Sequence, residues 1–246
     1  MPLLFPRSDP AKRFFLLPND LFLGELTACE FAIMVYLFCH AARKLAAPNL
    51  WTVMVNLSIS RNTLKKYMLR LRKRDWINVQ HHRFSLSLSV RDTVSLTDKL
   101  KLRAGHFFPM PYCVFGFGLS VGELAVYSYL LYREDRETFE CWPSYRTIGS
   151  ALRMSKNTVR KYVRLLEEKE FIVTEPTQVQ RRDGTKWNGN LKYHIRPIQT
   201  VVKRYNERYM REAQIEQERL RLKRLERYAV RHPGFKVTVY STDERE

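Results

Sequence analysis

The sequence predicts a mainly α, α+β fold: two tandem copies of one helical unit, each closed by β structure, then a long C-terminal helix. Three observations carry this. FFLLPNDLFLGELTACEFAIMVYL from Phe14 returns as FFPMPYCVFGFGLSVGELAVYSYL from Phe107. Each copy continues into two shorter amphipathic segments, separated by a tight turn and followed by β-rich stretches. From Ile198 to Val230 the chain is rich in Glu, Arg and Leu and free of Gly and Pro.

The repeat sets the architecture. Phe14, Phe15, Pro18, Phe22, Leu26, Glu30, Ala32, Tyr36 and Leu37 match Phe107, Phe108, Pro111, Phe115, Leu119, Glu123, Ala125, Tyr129 and Leu130 without a gap. After a two-residue difference in the next loop, Pro48, Thr52, Leu57, Ser60, Asn62, Thr63, Lys66, Tyr67 and Ile77 match Pro143, Thr147, Leu152, Ser155, Asn157, Thr158, Lys161, Tyr162 and Ile172. About a third of some ~60 compared positions are identical, and most of the rest exchange apolar for apolar.

Each unit begins with a short extended lead holding the Phe pair. The first helix opens on a capping box, Thr27 with Glu30 and Ser120 with Glu123, in which hydroxyl and carboxylate satisfy each other's orphan backbone N–H groups. These glutamates are therefore helix-start residues before anything else. The helices they open are apolar on most sides, as the buried helix of a three-helix core must be. In the second unit the Trp142-Pro143 break precedes a short helix with Ile148 and Leu152 inward. A turn at Arg153-Met154 leads to Ser155, a good N-cap, and to KNTVRKYVRLLEEKEF. Val159, Val163 and Leu166 make its buried stripe, and Lys156, Arg160 and Arg164 recur on the other side, with Asn157 and Lys161 beside them. FIVTEP and LKYHIRP, joined through Asp183-Gly184 and Asn188-Gly189, read as a long hairpin.

Helix, helix, turn, helix, hairpin is the winged-helix order. The boundaries that follow are a basic N-terminal arm 1–13, winged-helix module one 14–92, a linker 93–106, module two 107–197, a long charged helix 198–232 and a tail 233–246.

The chain carries a net charge of +18 and a pI near 9.9. Roughly +10 falls in the first 105 residues, about +4 in the middle and about +4 in the C-terminal segment. Such a field attracts polyanions without choosing among them. The patterning chooses duplex DNA. A helix with one buried stripe and Lys, Arg, Asn, Ser and Thr on its first turns fits a major groove about 12 Å wide, where Arg pairs with guanine and Asn with adenine.

The second unit, with its LSVGELAVYSYL helix and WPSYRTIGSALRMSKNTVRKYVRLLEEKEFI core, resembles the helix-turn-helix module of bacterial plasmid, phage and integrative-element proteins. The Phe pair, the Pro and Phe after it, and the LS-x-x-E helix start are similar to the N-terminal domain of plasmid replication initiators. The resemblance implies Ser155, Lys156, Asn157, Thr158, Arg160, Lys161 and Arg164 as DNA readers. The hairpin tip adds Arg181, Arg182 and Lys186 for phosphates, with Trp187 set to pack on a sugar edge. The family usually has Gly where the recognition helix ends; here that position is Glu170, and Asp75 in unit one. The first unit's helix, SRNTLKKYMLRLRKRDW, buries Leu64, Met68 and Leu71 and shows Arg61, Asn62, Lys65, Lys66 and Arg72. Its wing, INVQHHRFSLSLSV, is shorter, with strand-like alternation from Phe84 to Val90. Unit one is expected to grip mainly phosphates and unit two to read most bases.

The function expected is sequence-specific duplex binding by a transcriptional regulator of a bacterial mobile element, cytoplasmic and nucleoid-associated. Two alternatives stand beside it: a plasmid-type replication initiator binding origin repeats, and an RNA-binding or scaffold protein on the same fold. No membrane, metal or cofactor is expected. Phosphate-binding glycine loops, H-E-x-x-H and nucleophile elbows are missing from the sequence. A rolling-circle nickase needs a His-apolar-His strand, whereas adjacent His81 and His82 would point to opposite faces. Cys29, Cys39, Cys113 and Cys141 match no zinc spacing and read as reduced structural thiols. Along the C-terminal helix, Ile215, Leu222, Leu225 and Ala229 form one partial seam and Val202, Tyr205 and Tyr209 another. This suits a charged helix docked by one end, a homodimer contact, or an extra contact to DNA or RNA.

Overall fold

The computed structural model describes residues 14–81, 91–97, 106–180 and 186–231, apart from the side chains of Val179 and Lys186. The first half runs β1 (Phe14–Pro18), a 3-10 turn (Asn19–Phe22), α1 (Ala28–Ala42), α2 (Leu50–Leu57), α3 (Arg61–Lys73), β2 (Ile77–Gln80) and β3 (Thr93–Leu96). The second runs β4 (Phe107–Pro111), a 3-10 turn (Tyr112–Phe117), α4 (Val121–Arg133), β5 (Glu140–Cys141), α5 (Tyr145–Leu152), α6 (Lys156–Glu168), β6 (Ile172–Gln180) and β7 (Lys186–Ile195). Helix α7 (Ile198–Arg231) follows.

Both capping boxes form: the Thr27 N–H donates to Glu30 Oε2 at 2.9 Å and the Ser120 N–H to Glu123 Oε2 at 2.7 Å. Such caps are worth roughly 0.5–2 kcal/mol each, and here they fix where α1 and α4 enter the core. Both helices are buried over most of their length, from Phe31 to Leu37 and from Leu124 to Leu130. The starts of α2, α3, α5 and α6 are capped by Asn49, Ser60, Ser144 and Ser155, whose side-chain oxygens accept the N–H three residues on. The buried stripes of α3 (Leu64, Met68, Leu71) and α6 (Val159, Val163, Leu166) are those the spacing predicts.

The duplication reaches the backbone. Every described residue with positive φ has its counterpart in the other half: Glu25 (48°) with Gly118 (62°), Lys44 (53°) with Phe139 (57°), Ser58 (50°) with Arg153 (52°), and Asp75 (58°) with Glu170 (62°). A left-handed non-glycine residue costs roughly 1–2 kcal/mol, so seven such residues at paired positions mark turns that the surrounding packing imposes. Asp75 and Glu170 take the left-handed exit although neither is glycine. The β sheets correspond too. β7 lies between β5 and β6; β3 pairs with β2 and bridges back to Asn49 ahead of α2.

Two expectations on organisation are corrected. Of the expected linker 93–106, Thr93–Leu96 is strand β3 instead, paired in register from Ile77↔Leu96 to Gln80↔Thr93, and 98–105 lie outside the described residues. The leads do not serve their own helices alone. β1 and β4 pair antiparallel with each other, Phe14↔Pro111, Leu16↔Pro109 and Pro18↔Phe107, so the halves are clasped and the chain through Val202 is one compact unit. Proline is tolerated there because a two-stranded ribbon has outer edges that need no N–H donor. Aromatic rings fill the seam. Phe22 meets Tyr129 edge-on at 5.2 Å, and Tyr36 meets Phe115 edge-on at 5.2 Å. Arg153 reaches across to Glu25 at 2.6 Å.

Helix α7 buries Ile198 and Val201. From Lys203 onward it belongs to a second unit, where Ile215 is exposed and Leu222, Leu225 and Ala229 are half-exposed. In the other expected seam, Val202 is half-buried at the end of the first unit, and Tyr205 and Tyr209 are half-buried in the second. Positions 1–13, 82–90 (with the strand expected from Phe84 to Val90) and 232–246 lie outside the described residues.

Candidate nucleic-acid interface

The chemistry begins at the start of α6. Ser155 caps the helix: its Oγ accepts the Thr158 N–H at 3.1 Å and lies 2.8 Å from Thr158 Oγ1. These two hydroxyls are committed to each other and to the backbone, so both residues act first by placing the helix start. The free-standing face is made by Lys156, Asn157, Arg160, Lys161 and Arg164, all exposed. Arg160 stacks its guanidinium over the Tyr145 ring of α5 at 5.9 Å, which holds the charge in place ahead of any ligand. Arg164 is bridged along the helix to Glu168 at 3.1 Å. An exposed i,i+4 pair of this kind is weak and easily exchanged for a phosphate.

The far end of α6 is anchored. Lys169 Nζ lies 2.7 Å from Glu123 Oε1 and donates to the Gly118 carbonyl at 3.0 Å. Burial alone would push the Glu123 carboxyl up, but Lys169 and the Ser120 hydroxyl and N–H outweigh it and hold the group below the usual carboxylate range. Helix α3 has the equivalent tie, Arg74 Nη1 to the Gly24 carbonyl at 2.6 Å. The end of each exposed helix is thus tied to the segment that leads into the buried helix of its own half.

On α3, Arg61, Asn62 and Lys66 are exposed and Lys65 is half-buried. Its last turns hold Arg70, Arg72, Lys73 and Arg74, where α6 has Leu165, Glu167, Glu168 and Lys169. The first helix is therefore the more cationic at its C-terminal end, while the first turns of the two are nearly the same.

Of the expected wing residues, Trp187 is exposed on β7, whereas Arg181 and Arg182 lie outside the described residues, as does the Lys186 side chain. A cleft of about 410 Å3 runs between the hairpin and the helices, lined by Ser144, Tyr145, Arg146, Lys156 and the Gly189–Leu191 stretch. It brings Lys156 and Arg146 beside β7. In the first half, His81 Nδ1 and Asp92 Oδ2 meet at 3.0 Å, joining the chain just after β2 to the chain just before β3. That is a structural use for one of the two histidines considered for metal binding.

Sequence spacing did not single out Arg146, Arg153, Arg70, Lys73 or Arg74. The last four, with Thr27 and Glu30, line a cleft of about 340 Å3 between the halves. Arg153 has a signal in retrospect, a long cation at the turn where a left-handed backbone throws the side chain outward. Among the described residues no group of His, Cys, Asp or Glu is arranged to hold a metal, and no helix is long and apolar enough to cross a membrane.

A buried first helix, a short second helix, a left-handed turn and an exposed cationic third helix define a class, the helix-turn-helix domain, whose third helix docks on duplex DNA. Residues 118–172 match the helix-turn-helix domain family, so the second half carries such a domain. Among solved structures the chain is similar to a possible transcriptional regulator from Methanosarcina mazei Go1. The identity is 20%, the match covers 42% of this chain and 80% of that one, and the TM-score is 0.30. Curated proteins give no match.

Proposed function

We propose that the protein is a sequence-specific duplex-DNA-binding transcriptional regulator in which each half acts as a winged-helix module. The observation that carries the reading is helix α6: a Ser155-capped start, a buried stripe, and Lys156, Asn157, Arg160 and Lys161 exposed beside a long hairpin. It acts by occupancy, without chemistry, and its working place is the nucleoid. The resemblance of the lead and helix start to plasmid replication initiators supports a mobile element as its source. Helix α3 adds backbone grip through the cations of its last turns.

Anisotropy of labelled duplex DNA tests this. Binding is expected to weaken about 10³- to 10⁵-fold between 50 and 200 mM salt if ~6–10 phosphates are contacted. Arg160→Ala with Lys161→Ala is expected to lower specific binding at least about tenfold and leave the fold intact, since both side chains are exposed. A flat salt response, or tighter binding to structured RNA than to duplex DNA, would overturn the reading.

A further inference from the structure

The two helix-turn-helix halves are related by a local two-fold axis. The β1–β4 register shows it. Leu16 pairs with Pro109, its own counterpart, and each residue to one side pairs with the counterpart of the residue equally far to the other: Phe14 with Pro111, Pro18 with Phe107. Only a two-fold through the Leu16–Pro109 pair gives that pattern; a translational repeat would pair like with like along the strand. The ring contacts obey the same axis. Phe22 against Tyr129 and Phe115 against Tyr36 are one contact made twice, at the same 5.2 Å and with interplanar angles of 89° and 88°. In each half the end of the exposed helix is tied to the turn that leads into its own buried helix, by Arg74 to Gly24 in one and by Lys169 to Gly118 in the other. The axis that relates α1 to α4 therefore carries α3 onto α6. The chain is a self-complementary dimer built within one polypeptide.

From this we infer that the ligand is an imperfect inverted repeat: two related half-sites facing each other across a pseudo-dyad on one duplex. The inference rests on the duplex-binding reading above and specifies the symmetry of the site. A two-fold pair of recognition helices mirrors its symmetry onto the operator, whereas modules strung in tandem would read direct repeats. The half-sites are related because the first turns agree. Ser60, Asn62, Thr63 and Lys66 stand where Ser155, Asn157, Thr158 and Lys161 stand, and Arg61 and Lys65 exchange with Lys156 and Arg160. They are unequal because Leu69, exposed on α3, replaces Arg164. A branched apolar group there favours a thymine methyl, and a guanidinium favours guanine or phosphate.

Selection from random duplex DNA with the full chain, followed by sequencing, tests the symmetry. Two related half-sites in inverted orientation at fixed spacing are expected. Direct repeats or a lone half-site overturn the inference while leaving duplex binding intact; no enriched duplex at all removes duplex binding and the inference with it. A variant sharpens the result. Arg61→Lys with Lys65→Arg and Leu69→Arg gives α3 the reading face of α6, and the selected site is expected to become a palindrome. That variant should bind the palindrome about 5- to 100-fold tighter than the parent chain does. An unchanged selected site would overturn the inference. Because β1 and β4 clasp the halves, about 5 bp inserted between the half-sites, half a helical turn, is expected to cost at least about tenfold in affinity. Tolerance of that insertion counts against it equally.

Discussion

Glu134 ends α4 half-buried, and the loss of water there pushes its carboxyl up to about 7, with Arg136 pulling it back and Asp135 adding to the rise. The folded chain then binds this proton more tightly than the unfolded chain does, so ionisation opposes folding. The penalty is absent below about 4.5, grows as pH rises, and is complete above about 7. Glu134→Gln is expected to stabilise the protein at pH 8 by on the order of 1 kcal/mol, discounted for partial exposure, and to be neutral at pH 4.5. Calorimetry at the two pH values checks this; equal Tm shifts at both would refute it. The thiols are quieter. Burial pushes Cys39 and Cys113 up to about 11 and Cys141 up to about 12, so these three should react with a thiol reagent only after unfolding. Their structural role was legible from spacing. The commitment of Ser155 and Thr158 to capping was also legible in principle, since a Ser at a helix start serves the backbone before it can serve a ligand.

At the scale of elements, the caps, buried stripes and left-handed turns repeat in both halves, and small sequence differences show how each half accommodates the same contact. Gly122 on α4 lies against Tyr162 of α6 so closely that a Cβ would stand 2.1 Å from the ring. In the first half Cys29 occupies the equivalent place and engages Tyr67 through a side-chain hydrogen bond. Gly122→Ala is therefore expected to destabilise by about 1–3 kcal/mol through overpacking, read as a lower urea midpoint. Ser58 bears the opposite strain, a side chain at φ 50° in an exposed turn. Ser58→Gly should gain roughly 0.5–1 kcal/mol; a loss of stability would show that the hydroxyl supports the turn. Helices were legible because caps and period-3.6 burial are written locally. The β3 strand was not, since TVSL alternates too briefly to be told from a linker until Ile77–Gln80 is beside it.

Over the whole molecule, the feature least legible in the sequence is the clasp. FFLLP and FFPMP each read as the lead of the helix that follows, and nothing local says that they pair with each other across the intervening chain. The duplication predicts two modules; the shared ribbon and the Phe22, Phe108, Tyr129 and Tyr132 rings make them one core. The part through Val202 is therefore expected to unfold in a single cooperative transition. Two separated calorimetric transitions from it would contradict this. Phe22→Ala should cost about 3–5 kcal/mol and lower that one transition as a whole, because its ring touches both halves.

The ribbon also sets a schedule for the newborn chain. When β1 emerges during synthesis, the strand that must cover Phe15 and Leu17 has not yet been made. Some ~90 further residues are needed, about 5–20 s at ordinary rates of elongation. During that wait apolar surface built for an internal partner is open to any neighbour, including the same strand of another nascent chain. Exchange of β1 between two copies is the natural error of such a fold. Crowded translation should therefore favour it, and slow dilution during refolding should suppress it.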